Sequence, residues 1–362
     1  MNNYKIIKSD DPLWNKYLFR FPAHYHDINF TSQYHRMMEL KGDGEAELFV
    51  VEDSEKLFFH PYMINEIKNI GSVKLKSKIS DIQSVFGYTG PIINTDDEVF
   101  IHNSSALFEE FCKNRGVVAE FIRFNPLLKN QLLLNNSNTL KIIDLKPYVT
   151  IDLSPPYTAI LQNYSRNLRR IIRKVKTISG WHWVISKENS VTNEIINLLE
   201  KRLQEKKARS FKFYNSDYSD HLYKLILTNG CGFAAFDDHT NKIIVGAIFV
   251  YLNDSVYFLH SARDTEDSRS SLINSYIVDQ GIQYFKQEGF SSFFFGGGVS
   301  NSSDDSLLKY KESFSGHIDD FYIGKGIFDI EEYTNLCEIW ESQFPHLKDE
   351  GKNLVLKYRL TD

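Results

Sequence analysis

Three stretches of this 362-residue chain carry residues suited to handling an anion or a carbonyl. The first is Tyr257-Phe258-Leu259-His260-Ser261-Ala262-Arg263-Asp264-Thr265-Glu266-Asp267-Ser268-Arg269-Ser270-Ser271, which reads as a strand, a loop and a helix start. Small hydroxyl residues at a helix start leave backbone N–H groups open toward an anion. Ser268, Ser270 and Ser271 stand there, Ser261 ends the strand, and Arg263 and Arg269 add positive charge. This suits a pyrophosphate; an ordinary serine N-cap with solvated charges fits the same residues. The second stretch is Phe293-Phe294-Phe295-Gly296-Gly297-Gly298, a buried strand ending in glycines that let a ligand or backbone come close, with Gly297 at the centre. Asp304 and Asp305 follow, then Lys309-Tyr310-Lys311-Glu312-Ser313-Phe314. A lysine pair flanking a tyrosine there can meet a phosphate or a developing oxyanion, or lie on a solvated helix face. The third stretch is in the first half, where Gly87-Tyr88-Thr89-Gly90-Pro91 and Glu120-Phe121-Ile122-Arg123-Phe124-Asn125-Pro126 end neighbouring strands. Arg123 beside aromatic rings can hold a phosphate and stack a base or sugar; pairing to Glu120 or Asp97 is the structural alternative.

The elements that must position these residues recur twice. In the second half a strand-turn-strand pair reads at 231–253, an aromatic strand at 255–261, a long helix at 270–288, and a strand at 290–295. In the first half a hairpin at 47–62 is followed by a strand at 84–88, a helix at 104–114, Gly116, and a strand at 117–124. A duplicated unit of this size predicts two like mixed α/β domains, with the site in or near the cleft between them. The boundary is expected at 152–157, where Ser154-Pro155-Pro156 reads as a linker, giving domains over 1–153 and 154–362. Beyond it lies a strongly basic amphipathic helix in which Arg166, Arg169, Arg170, Arg173, Lys174 and Lys176 alternate with Leu168, Ile171, Ile172 and Val175. Further helices read at 30–40, 191–207 and 330–341, a loop at 135–139, and a last strand at 354–360.

The bulk numbers bound the chemistry. An apolar content of 42% with 25% charged residues is that of a folded globular protein, and the length allows two cores. A net charge of −5 gives no global pull toward DNA or an anionic membrane. Cys112, Cys231 and Cys337 are scattered without C-x-x-C spacing, which fits a reducing cytoplasm better than a disulfide framework. The histidines (His24, His26, His60, His260, His317) lack metal-ligand spacing, so no metal is expected. The longest apolar run is about half a membrane span, and the N-terminus lacks the apolar stretch of a signal peptide.

In this order and spacing, the residues resemble a double-GNAT acyltransferase related to the Fem-type peptidyltransferases. The carriers are the Gly87–Pro91 and Glu120–Pro126 runs, Asn167-Leu168-Arg169-Arg170-Ile171-Ile172-Arg173-Lys174, Gly296-Gly297-Gly298, and Tyr310-Lys311-Glu312-Ser313-Phe314. The first-half pattern looks closest to members that acylate nucleotide-linked amino sugars for lipopolysaccharide O-antigen or capsule. The resemblance implies two tandem GNAT-like domains, with the last strand returning to the first. It implies an acyl-CoA donor held in the second domain by Ser261, Arg263, Ser268, Arg269, Ser270, Ser271, Gly297 and Tyr310. It implies an acceptor on the first domain at Tyr88, Arg123 and Asn125, with Arg170 lending charge. Lys311 would stabilise negative charge on the reacting carbonyl, and His260 and Asp304 are the candidates for taking the amine proton. One departure stands out: GNAT proteins carry a glycine-rich donor turn where this chain has serines. Two other functions stay open. One is a peptidyltransferase using aminoacyl-tRNA for peptidoglycan cross-bridges; the other is a non-catalytic module binding a polysaccharide precursor.

Overall fold

In the computed structural model of the chain, the structure describes residues 4–134, 139–206, 214–298, 304–315 and 318–361. The expected loop at 135–139 (Thr139 aside), Lys207 and His317 fall outside them. The chain divides into two compact units, one of Met1–Leu145 with Phe321–Asp362 and one of Lys146–Asp320.

Unit 1 begins with β1 (Tyr4–Lys8), α1 (Leu13–Leu18) and α2 (Ser32–Lys41). The hairpin β2 (Glu45–Asp53) and β3 (Lys56–Glu66) follows, then the two-residue strands β4 (Asn69–Ile70) and β5 (Val73–Lys74). After them come β6 (Ser80–Gln83), β7 (Ile92–Ile93), α3 (Glu98–Asn114) and β8 (Val117–Arg123). The strand order is β1-β2-β3-β6-β8, antiparallel except for the parallel β6/β8 pair that flanks α3. Asp97 caps α3 by accepting from the amides of Val99 and Phe100. The helix buries Phe100, Phe108, Phe111 and Cys112 against Phe49, Phe58 and Tyr62 of the hairpin.

The chain leaves unit 1 within β9 (Leu140–Asp152). Unit 2 continues with α4 (Tyr157–Asn163), α5 (Arg166–Val175), β10 (Trp181–Ser186), α6 (Asn189–Glu205) and α7 (Ser216–Asn229). Then come β11 (Gly230–Asp237), β12 (Ile243–Leu252), β13 (Ser255–Arg263), α8 (Ser270–Gln287), β14 (Ser292–Gly296) and α9 (Ser306–Glu312). Here β10, β11, β12 and β13 run antiparallel in sequence, and β13 pairs parallel with β14 around α8. This repeats the connection of unit 1, so the fold is two tandem α/β units, each with a mixed sheet. Apolar residues of α8 (Ile273, Ile277, Val278, Ile282, Phe285) form one core with Ala247 and Phe249 of β12. A Cβ on Gly281 would lie 2.8 Å from the Phe249 ring, so that glycine lets helix and sheet close up.

The return to unit 1 is β15 (Ile318–Ile327), antiparallel to β8, followed by α10 (Ile330–Gln343) and α11 (Lys348–Gly351). Three expectations need correction. The division falls inside β9, and Pro155 and Pro156 make a tight strand-to-helix connection instead, with Pro156 at the N-cap of α4. The chain from Phe321 onward belongs to unit 1, because β15 pairs with β8 and Leu336 and Trp340 of α10 pack with Val118 and Ala119. The expected strand at 354–360 is a turn and a 3-10 helix over Lys357–Arg359; Leu360 offers its carbonyl to the Trp340 indole N–H at 2.7 Å.

Candidate functional site

In unit 2 the site is built around a one-residue irregularity in β13. Phe258 pairs with Phe249 and His260 with Ile248, leaving Leu259 as the extra residue of a β-bulge. The bulge changes which side chains face which way. Val256 and Phe258 pack into the α8 core, and beyond the bulge Ser261 and Arg263 turn to the same side. Ser261 Oγ donates to Asn274 Oδ1 of α8 at 3.0 Å, and Arg263 Nη1 donates to Ser270 Oγ at 3.2 Å. His260 turns to the opposite face. Its Nε2 lies 2.7 Å from the Tyr218 hydroxyl of α7 and its Nδ1 3.4 Å from the Tyr214 hydroxyl.

Beyond β14 comes α9, whose Tyr310 feels the Arg263 charge. Asp305 caps it, accepting from the amides of Leu307 and Leu308 at 2.9 Å. The same carboxyl fills the space beside Gly298, where a Cβ would lie 2.6 Å from Asp305 Cγ, so the third glycine is sterically required. Lys311 is buried at 9% exposure, and its Nζ donates to the Gly297 carbonyl at 2.8 Å, 5.7 Å from the centre of the Phe295 ring. Burial pulls its ammonium down to about 8, only partly opposed by the Asp305 charge. Tyr310 points its hydroxyl at α8, where Asn274 Nδ2 donates to it at 2.9 Å, and burial pushes that hydroxyl well above its ordinary range.

The loop at 264–269 is arranged differently from the expectation. Arg269 is held by Asp267 and Asp237, each at 2.6 Å, and by the Gly180 carbonyl at 3.0 Å. This clamp fastens the start of α8 to the end of β11 and engages Arg269 within the protein. Neither Ser268 nor Ser270 caps α8: its N-cap is Arg269, without a side-chain cap bond. Ser268 and Ser271 are exposed, while Ser270 is fully buried beneath Arg263. Asp304 sits on the surface beside Lys309 at 2.8 Å. Arg170 is exposed on α5 and donates to Asn167 Oδ1 at 3.0 Å, while Leu168, Ile172 and Val175 bury the other face of that helix. The structure thus gathers Ser261, Arg263, Ser270, Gly297, Tyr310 and Lys311 on the α8 side. It sets His260, Arg269 and Asp304 apart from them.

In unit 1 the loop Gly87–Pro91 is held from below by buried amides. Asn125, fully buried, donates to Asp27 Oδ2 and to the Tyr88 carbonyl and accepts from the amides of Leu127 and Leu128. It braces the loop from within, with both its amide N–H and its carbonyl engaged. Asn130 donates to the carbonyls of Thr89 and Pro91. Gly87 has φ +155° and a Cβ there would meet Asn29 Oδ1 at 2.1 Å. On this frame Tyr88 lies edge-on to Phe321 at 5.4 Å. The Arg123 guanidinium lies 4.9 Å from the Phe121 ring, and burial lowers its proton affinity while Tyr88, Asp43 and Tyr34 oppose that. Neither Glu120 nor Asp97 is its partner: Glu120 pairs with His60 at 3.1 Å and Asp97 with Lys56 at 2.5 Å. A partly buried guanidinium with no carboxylate in ion-pair range among the described residues is suited to an external anion.

Sequence reasoning missed several neighbours. Lys41 lies 3.6 Å from Asp43 and 5.4 Å from the centre of the half-exposed Phe86 ring. The signal was the Lys41-Gly42-Asp43-Gly44 run, whose glycines take φ +100° and +127° and aim the two charges toward the Phe86 loop. Asn274 and Tyr218 left no signal beyond their helical positions. Among the described residues no cluster of histidine, cysteine and acidic groups can hold a metal, and no helix is long and apolar enough to cross a membrane.

No family model matches the chain, and no curated protein sequence does either. Its likenesses are structural. It is similar to FemX at 12% identity, with a TM-score of 0.66 over 91% of this chain and 99% of FemX. It is similar to L-PGS from Bacillus licheniformis at 13% identity, with a TM-score of 0.54 over 88% of this chain and 92% of that one. A conserved protein of unknown function from Bacteroides thetaiotaomicron gives a TM-score of 0.53 at 9% identity, over 90% and 100% of the two chains. With the repeated unit described above, these show a FemX-like fold of two tandem mixed α/β units.

Proposed function

We propose that the chain is an N-acyltransferase that moves an acyl group from acyl-CoA to the amine of a nucleotide-linked amino sugar, in lipopolysaccharide O-antigen or capsule synthesis. The observation that carries the reading is Lys311, an ammonium kept in a nearly dry niche at the end of β14. In the reaction the neutral amine attacks the thioester carbonyl, and its lone pair forms the new C–N bond. The carbonyl π pair moves onto oxygen, beside the Lys311 ammonium. Collapse of that intermediate breaks the C–S bond, and the amine proton passes to solvent or to the departing thiolate. A cation fixed where charge develops favours the transition state over the ground state. At its value of about 8, most Lys311 is charged at neutral pH. Arg123, with Tyr88 beside it and Lys41 near Phe86, supports the acceptor half of the reading, since a nucleotide sugar brings a diphosphate and a flat base.

A second reading, transfer from aminoacyl-tRNA in peptidoglycan cross-bridge synthesis, is favoured by two observations. Arg269 is already engaged in a loop that lacks glycine, which weakens the case for a coenzyme A pyrophosphate cradle. Also, α5 exposes Arg166, Arg170, Arg173 and Lys174, with Lys176 just beyond it, and such a row suits phosphodiesters. Thermal unfolding with coenzyme A, UDP-linked amino sugars and bulk tRNA separates the two. A ligand at a hundred times its Kd adds about 2.7 kcal/mol. Stabilisation by coenzyme A and a nucleotide sugar upholds the first reading. Stabilisation by tRNA without coenzyme A overturns it in favour of the second.

A further inference from the structure

The helix that carries Lys311 is only seven residues long. A helix of that length has little stability of its own, so its orientation depends on what it is fastened to. Its apolar ties are Leu308, buried in the unit 2 core, and the ring contacts of Tyr310 with Phe295 and Phe314. Its polar ties to α8 converge on the Tyr310 hydroxyl, which accepts from Asn274 Nδ2 and also bonds the Ser275 side chain. Asn274 is engaged on its other side too, because Oδ1 accepts from Ser261 Oγ. Three elements therefore meet in one amide: β13 through Ser261, α8 through Asn274 itself, and α9 through Tyr310. The residue after Tyr310 is Lys311.

We propose that Asn274 is a positioning residue, which acts through Tyr310 to hold the Lys311 ammonium against the Gly297 carbonyl at the mouth of β14. This rests on the acyl-transfer reading for its functional consequence. A primary amide suits the task because it donates and accepts at once, and both groups are used. A tyrosine used as a proton donor would need its hydroxyl free toward the leaving group, and Tyr310 has its hydroxyl turned to α8 instead. The groups facing Lys311 are the Asp305 carboxyl from the α9 cap and the Phe295 ring and Gly297 carbonyl from β14. Arg263 of β13 bears on Tyr310 from the far side of the same cluster. Loosening α9 would let water reach Lys311, and its affinity for the proton would rise toward that of a free lysine.

The test reads Lys311 directly. The full chain is labelled at the lysine ε-carbons, the Lys311 resonance is assigned by its loss in Lys311→Ala, and its titration is followed by NMR. Asn274→Ala and Tyr310→Phe are compared with the parent, Tyr310→Phe keeping the ring packing in case the first variant is poorly folded. The expected result is a Lys311 midpoint raised by about one pH unit in both. Turnover should fall about tenfold while both KM values hold, and Tyr310→Phe should add no further loss in a Lys311→Ala background. An unmoved titration in both variants overturns the proposal, as does an undiminished effect of Tyr310→Phe without Lys311. A titration that moves while turnover does not upholds the positioning and overturns the role given to Lys311, so the two failures are distinct.

Discussion

Replacing Lys311 with methionine should make the protein more stable while removing its activity. An ordinary lysine titrates at 10.5 and Lys311 at about 8, a difference of roughly 2.5 units. At 1.36 kcal/mol per unit, keeping the charge buried at neutral pH costs on the order of 3 kcal/mol. Methionine has nearly the same length and an adaptable thioether, so it fills the niche without a cavity. It leaves the Gly297 carbonyl without its donor, which costs about 1 kcal/mol. The net expectation is a gain of about 2 kcal/mol at pH 7, read by urea unfolding. The sign of the pH dependence follows from the depressed value. Between about 8 and 10.5 the unfolded lysine keeps a proton that the folded one has lost. The parent therefore gains stability across that window as pH rises, and the advantage of the variant disappears by its upper end. Turnover should fall on the order of 100-fold or more. A variant no more stable than the parent at pH 7, with an unchanged difference at pH 9.5, would refute the claim that this charge is held against its solvation.

Two further substitutions test the separate halves of the site. Arg123→Ala should raise the acceptor KM about tenfold or more and leave the donor KM within about twofold, as steady-state kinetics with each substrate varied would show. Arg269→Ala should lower the melting midpoint and leave the donor KM within about twofold, whereas Arg263→Ala should raise the donor KM; the reverse pattern would restore Arg269 to the donor site.

The repeated unit was legible because its signals are local. The hairpin at β11/β12 and the helix at α8 stand in the sequence as apolar runs bounded by turn residues, and the structure matches them to within a residue or two. The strand before α3 was misplaced: β6 is at Ser80–Gln83, and residues 84–88 form the loop above it. Ser84-Val85-Phe86 alternates like a strand, but Tyr34 donates to the Phe86 carbonyl and Arg123 donates its amide to Ser84 Oγ, contacts made by residues far away in sequence. The candidate site divides in the same manner. Lys311 and Arg123 were visible as charges at element ends. The pairing of Arg269 was not, because its partner Asp237 comes from a strand 32 residues earlier. The turning of His260 to the α7 face depends on a single bulged residue, and alternation along β13 cannot reveal which residue is extra.

The discontinuity of unit 1 also sets an order on synthesis. Everything unit 2 needs lies between Lys146 and Asp320, so it can close as soon as that stretch has left the ribosome. Unit 1 begins first and finishes last. β8 presents an open edge until β15 arrives, and Val118 and Ala119 lack the cover of Leu336 and Trp340 until α10 is made. Throughout the translation of some two hundred residues, the nascent chain carries an unpaired strand with an apolar flank, the kind of surface that recruits chaperones or a second copy. A chain cut short after Asp320 but before α10 therefore loses the first unit rather than the second.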